Sequence, residues 1–227
     1  MVKRTIRFWG RLWYRIRFLL FQRHRFDRLA LEWVAGRPFL ILPQVFNPAL
    51  FWTSEFMAQA LNERLIPPGS YLLDMGTGSG IGAVFAAQWT NKVTAVDVNP
   101  AAVRCARINA LLNEVEDRVT VKEGDLFTAV PDETFDVILF NPPYFRGQPR
   151  NNLDRAFRAD DVIERFVDQL HYHLAPRGYA LVLLSSVGDE ASFLALFRQH
   201  GYQIKTEARQ ELPAETLSLY KLHKEET

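Results

Sequence analysis

Along the 227-residue chain, apolar residues recur with two alternating periods. Short runs rich in Val, Ile, Leu and Phe occupy 71–75, 92–98, 118–125, 135–141, 178–186, 202–209 and 217–223, and their length and β-branched content predict strands. Between most of these runs the apolar positions fall three or four apart. That spacing predicts amphipathic helices over 99–113, 160–174 and 188–200, the second burying Val162, Phe166, Val167 and Leu170. Strand alternating with helix predicts an α/β domain with a mostly parallel sheet covered on both faces. The last two runs are separated only by a turn around Leu212-Pro213-Ala214, so they should pair as a C-terminal antiparallel hairpin. Seven strands in one open sheet place any ligand beyond the carboxyl ends of the strands.

Two of those strand ends carry candidate chemistry. Directly after Phe135–Phe140 comes Asn141-Pro142-Pro143-Tyr144. A planar amino nitrogen, in an amide or a nucleobase, is a poor nucleophile because its lone pair is delocalised into the adjacent sp² carbon. The Asn141 side-chain oxygen and the Pro142 carbonyl offer acceptors for its two N–H groups, which would draw the nitrogen towards tetrahedral geometry. The prolines fix φ and present no competing N–H, and Tyr144 offers a flat packing face. As local structure alone, the same four residues are a Pro-rich turn.

The second strand end is Asp74-Met75-Gly76-Thr77-Gly78-Ser79-Gly80-Ile81-Gly82, after Tyr71-Leu72-Leu73 and before a helical run from Ala83 to Trp89. Strand, glycine-rich turn and helix start form a cradle for a nucleotide-type cofactor. Gly78, Gly80 and Ala83 satisfy G-x-G-x-x-A, and Asp97 follows at the distance expected for gripping ribose hydroxyls. A nicotinamide cofactor is therefore one alternative. Asp74 weighs against it, because an acid ahead of the glycines repels a pyrophosphate and attracts a cation. S-adenosylmethionine carries two cationic groups, a sulfonium and an ammonium.

On these residues the chain resembles class I S-adenosylmethionine-dependent methyltransferases, and within them the Asn-Pro-Pro-Tyr group that includes the short HemK-type glutamine methyltransferases. The resemblance runs over about residues 44–223. It implies a Rossmann-like α/β fold with a seven-stranded, mostly parallel sheet. It also implies that Asp74, Gly76, Thr77, Gly78 and Gly80 line the methionine end of the cofactor, and that Asp97 with Val98 holds the ribose. Asp125 in Glu123-Gly124-Asp125-Leu126 would accept the adenine amino group, with the Leu126 N–H meeting a ring nitrogen. Asn99-Pro100-Ala101 is similar to the family's helix opening, where Pro suits the first turn. Val45-Phe46-Asn47-Pro48 followed by Thr53-Ser54-Glu55 resembles an opening segment whose hydroxyl residue, here Ser54, lies near the cofactor; a plain helix N-cap is the competing reading. Glu215 to Leu222 resembles the closing strand.

The implied reaction is methyl transfer to a planar amino nitrogen, with Asn141 and Pro142 orienting it and Pro143 and Tyr144 shaping the pocket. A protein glutamine, as in a release factor, is favoured; an adenine amine in RNA or DNA is the alternative, for which Tyr144-Phe145 would be a stacking pair. A non-catalytic nucleotide- or RNA-binding module is a reading from another class. The short relatives work with a small zinc-binding partner protein, so an activator of that kind is expected as a partner.

Composition adds a boundary and an asymmetry. The single cysteine, Cys105, excludes an internal disulfide and suits a helix core, no histidine cluster has metal-ligand spacing, and the cytoplasm is the expected compartment. Residues 1–28 hold nine Lys or Arg and one acid, a net +8, leaving 18 bases and 25 acids, a net −7, elsewhere. Trp9, Leu12, Trp13, Ile16, Leu19 and Leu20 follow helical spacing, with Arg4, Arg7, Arg11 and Arg15 on the other side. The expected organisation is a basic amphipathic helical extension over 1–35 and a methyltransferase domain over 36–227. Arginines interrupt every apolar window too early for a membrane span. Peripheral contact with a membrane surface, RNA contact, organelle targeting and simple packing on the domain all fit the extension. A second basic stretch, Arg146, Arg150, Arg155 and Arg158, predicts a loop that contacts the macromolecular substrate.

Overall fold

The computed structural model describes residues 27–224; the expected N-terminal amphipathic helix lies outside them. Two short strands open the described chain, β1 (Ala30–Val34) and β2 (Arg37–Ile41), paired antiparallel. Ala35 and Gly36 join them with φ of 45° and 79°, positive at both central positions as the tightest hairpin turns require. The junction expected between residues 35 and 36 therefore falls inside a hairpin. β1 belongs to the folded domain, which begins no later than Ala30. Helix α1 (Trp52–Ala60) follows a 3-10 turn over Pro48–Leu50.

The main sheet is built from β3 (Tyr71–Met75), β4 (Lys92–Asp97), β5 (Val119–Glu123), β6 (Phe135–Phe140), β7 (Leu174–Ser185), β8 (Gln203–Glu211) and β9 (Thr216–His223). Their spatial order is β5-β4-β3-β6-β7-β9-β8. The first five pair in parallel, while β9 runs antiparallel to both β7 and β8. Helices α2 (Ile81–Ala86), α3 (Pro100–Leu112), α4 (Val162–His173) and α5 (Glu190–Gln199) make the connections. The expected seven-stranded α/β sheet with its C-terminal hairpin is present, and so is every expected strand, most ends shifting by a residue or two.

Side-chain alternation along the strands separates two cores. Leu72, Val93, Ala95, Val137, Leu139, Leu181 and Leu183 face the layer that holds the N-terminal hairpin, α1, α2 and α3. Leu73, Met75, Val96, Ile138, Phe140, Val182 and Leu184 face α4 and α5. Within α4 the buried apolar residues are Ile163, Phe166, Val167 and Leu170; Val162 is only half-buried. Cys105 is a core residue of α3 whose thiol donates to the Leu40 carbonyl at 3.1 Å, and burial raises its pKa to about 11. From β3 the chain moves outward through β4 to β5, then returns to place β6 on the other side of β3. The carboxyl ends of β3 and β6 therefore diverge at a topological switch point, where a crevice opens.

Candidate active site

One cavity of about 740 Å³ occupies that crevice. Ser54, Asp74, Gly76, Thr77, Gly78, Asp97, Val98, Asp125, Leu126, Asn141, Pro142, Pro143 and Tyr144 all line it. Of the expected site residues only Gly80 does not. Gly80 takes φ 86° at the start of α2, and a Cβ there would come within 3.0 Å of the Ala106 Cα. It lets α2 and α3 approach each other.

The glycine loop is held by two acids. Asp74, at the end of β3 and buried, accepts from the Thr77 hydroxyl at 2.6 Å and the Ala83 N–H at 2.8 Å, both on Oδ2. Burial raises its pKa to about 7, while those two hydrogen bonds pull it down. Asp97, at the end of β4, accepts the Gly78 N–H at 2.8 Å and the Asn99 N–H at 2.9 Å on different oxygens; burial raises its pKa too. Both carboxylates thus shape the loop as well as facing the cavity, and each oxygen can accept more than one hydrogen bond. Gly76 and Gly78 take φ of 66° and 57°, a conformation closed to most side chains.

Asp125 follows β5 and meets a partner not foreseen from the sequence. Arg165 of α4 donates to its two oxygens at 2.7 and 3.4 Å and lies 3.2 Å from Asp161. Leu126 sits at φ 50°, a strained conformation for a residue with a side chain, of the kind that gathers at ligand sites.

At the end of β6 the Tyr144 hydroxyl donates to Asn141 Oδ1 at 2.6 Å. Tyr144 is therefore more than a packing wall. Its pKa lies well above 10, first because of burial and then because of the nearby Glu215 and Glu190 carboxylates, so it remains a neutral donor. A side chain at Gly188 would collide with the Tyr144 backbone at 2.6 Å, which makes the β7–α5 turn a floor under the tyrosine. Glu215, at the start of the last strand, also lines the cavity and accepts from the Ser185 hydroxyl.

The α1 segment differs from its expectation. Phe51 is the N-cap, so neither Thr53 nor Ser54 caps the helix. Both are buried and line the cavity. The Thr53 hydroxyl has no hydrogen-bond partner within the protein, so it is a candidate contact beside Ser54 that the sequence pattern did not single out. Asn47 works structurally, its oxygen accepting from the Ala49 N–H and its amide donating to the buried Glu32.

The basic loop after Asn-Pro-Pro-Tyr is folded against the site. Phe145 and Ala159 N–H groups bond to the Phe157 and Phe145 carbonyls, and Phe157 packs edge-on against Phe46 and Phe51 at 5.4 and 5.5 Å. Arg146 pairs with Glu164 at 2.6 Å and Arg158 with Asp154 at 3.3 Å. Arg150 and Arg155 are exposed and have no acidic partner among the described residues, so only half of the stretch presents free charge.

The residues fit an S-adenosyl cofactor. Left-handed glycines leave the backbone open to a ligand, acids stand where a cation and a ribose would lie, and an orphaned buried hydroxyl points to one further contact. A dinucleotide fits less well, because a carboxyl occupies the start of the loop.

Residues 38–208 match the model of the methyltransferase small domain family. A protein assigned as an N5-glutamine methyltransferase in Methanocaldococcus jannaschii is 30% identical over 193 residues, 81% of this chain and 94% of that one. The release factor glutamine methyltransferase of Koribacter versatilis is 34% identical over 172 residues, 68% of this chain but only 60% of that enzyme's length. Among solved structures, the E. cuniculi Mtq2–Trm112 complex, responsible for methylating the termination factor eRF1, superposes with a TM-score of 0.56 at 22% identity. It covers 80% of this chain and 99% of that one, and at this identity it shows the fold alone. These matches overturn the nicotinamide alternative: the chain belongs to the methyltransferase small domain family as a HemK-like class I methyltransferase that uses S-adenosylmethionine.

Proposed function

We propose that the acceptor is the side-chain amide nitrogen of a protein glutamine, in a substrate of the translation machinery such as a release factor. The observation that carries this reading is the bond from the Tyr144 hydroxyl to Asn141 Oδ1, on the wall of the cavity that also holds the glycine loop. It fixes which way the Asn141 amide points. Of the two lone pairs on that oxygen one takes the tyrosine proton, leaving the other for an incoming N–H. The designations of the M. jannaschii and K. versatilis relatives support glutamine as the residue that supplies it.

S-adenosylmethionine, when bound, supplies an electrophilic methyl carbon attached to a cationic sulfur. The chain's own residues do the positioning. Asn141 holds one N–H of the acceptor amide and the Pro142 carbonyl the other, with no competing donor from Pro143. So held, the nitrogen lone pair is released from conjugation and directed into the cavity. Once alkylated, the nitrogen is positively charged and acidic, and water takes its proton. The Glu215 carboxylate, close enough to raise the Tyr144 pKa, favours that developing charge. Thr53, Ser54, the glycine loop, Asp97 with Val98, and Asp125 with Leu126 hold the cofactor.

A translation factor as substrate supports the cytoplasm as the compartment. The Mtq2–Trm112 complex supports a small activator protein as partner. An adenine amine in RNA or DNA is the second reading, favoured by the exposed Phe145 ring and the exposed Arg150 and Arg155 in the loop that follows it. Labelled S-adenosylmethionine supplied to a cell extract with the enzyme decides between them: protease should release the label and nuclease should not. Release by nuclease alone would replace glutamine with a base.

A further inference from the structure

The N-terminal hairpin buries Val34, Phe39 and Ile41 in the core and carries a second apolar face on its outer side. Leu29, Leu31 and Trp33 are 63%, 60% and 65% exposed, and being two apart they share one face of the extended chain. Their neighbours across the pair, Leu40 opposite Leu31 and Pro38 opposite Trp33, continue that face and are half-buried. Inward, β1 points Glu32, only 4% exposed and held by the Asn47 amide at 2.9 Å. With Glu32 and Val34 turned inward, the exposed Leu29, Leu31 and Trp33 are left facing outward, an apolar face open to a second apolar phase.

The chain leading into this face is the basic one. Residues 1–28 bring a net +8 and set Trp9, Leu12, Trp13, Ile16, Leu19 and Leu20 at helical spacing. Positive charge, aromatic residues and an apolar stripe together match the interfacial zone of a bilayer that contains anionic lipid. We propose that the Leu29–Leu31–Trp33 face is a binding surface for a lipid bilayer, and that the net +8 of the sequence leading into it selects anionic lipid. RNA would use the arginines and tryptophans but has no counterpart for a leucine-bearing strand face. Folding residues 1–26 back over the hairpin would cover the leucines but leave the excess of arginine unexplained.

The placement gives the contact a consequence. Asp27, where the basic segment meets the domain, accepts the Gln44 N–H at 2.6 Å, and Gln44 lines the catalytic cavity. The start of the hairpin is thereby tied through Asp27 to a residue that lines the catalytic cavity. The inference does not depend on which nitrogen is methylated.

Flotation of the full chain with vesicles tests it. Vesicles of phosphatidylcholine mixed with phosphatidylglycerol should carry the protein at low salt, vesicles of phosphatidylcholine alone should not, and high salt should release it. The exposed triple variant Leu29→Ser, Leu31→Ser, Trp33→Ser should partition about tenfold less while binding S-adenosylmethionine as the parent does. Equal behaviour on both vesicle types overturns the proposal. So does a triple variant that floats as well as the parent, because the strand face would then have no part in binding. Retention by RNA without retention by vesicles overturns it in favour of the nucleic acid.

Discussion

At the scale of single residues the account turns on Asn141. Its oxygen takes the Tyr144 proton on one side and is assigned the acceptor N–H on the other, so the two side chains should act as a unit with unequal shares. Asn141→Ala removes the acceptor and should lower kcat more than tenfold, about 1.4 kcal/mol or more, leaving the S-adenosylmethionine Kd unchanged. Tyr144→Phe only loosens the amide, so its kcat should fall by less, and adding it to Asn141→Ala should cost almost nothing further. Steady-state kinetics on the three variants check this; additive losses would show that the hydroxyl acts elsewhere. Asp74 has a different signature. Burial raises its carboxyl from 3.8 to about 7, so the folded protein holds this proton more tightly than the unfolded chain. Its contribution to stability is complete below about pH 4 and is lost as pH climbs through about 7. Denaturant midpoints of the cofactor-free protein between about pH 5 and about pH 8 should fall more steeply than those of Asp74→Asn, and parallel curves would contradict the raised value.

At the scale of elements, α4 supplies what the loop after β5 lacks. Arg165 bonds to both oxygens of Asp125 and so sets the orientation of the acid assigned to the adenine amine. Arg165→Ala should weaken S-adenosylmethionine binding about three- to tenfold, about 0.7–1.4 kcal/mol, without changing the kcat of the saturated enzyme, as calorimetry and kinetics would show. An unchanged Kd would leave Arg165 a surface ion pair of small worth. How much the sequence revealed also differs by element. The strands β3, β4 and β6 were legible because buried parallel strands read as continuous apolar runs, and the glycine loop and Asn-Pro-Pro-Tyr because their backbones demand those residue types. The N-terminal hairpin was not legible. Apolar residues lie on both of its faces, Val34, Phe39 and Ile41 inside and Leu31 and Trp33 outside, while Glu32 is buried, so apolar-polar alternation gives no strand signal there. Thr53 was passed over because helix starts favour hydroxyls for capping, and only the position of Phe51 as N-cap frees both Thr53 and Ser54 for the cavity. Arg165 and Asp125 lie 40 residues apart, and no local pattern pairs them.

For the whole molecule, the sheet order places the ends of four strands around one crevice, and the acids and glycines at those ends line it. Among the described residues no helix is long and apolar enough to cross a membrane. The net +8 of residues 1–28 stands against −7 for the rest, so positive charge is concentrated at one end of the sequence. What defines the reaction is the acceptor, an amide nitrogen. An N-methylated side-chain amide yields methylamine on acid hydrolysis, whereas an N-methylated adenine keeps its methyl group on the base. Extract labelled by the enzyme and methyl-labelled S-adenosylmethionine should therefore give protease-sensitive material whose acid hydrolysate contains labelled methylamine, and Asn141→Ala should give almost none. Label recovered as a methylated base, or methylamine formed equally well without Asn141, would contradict the account.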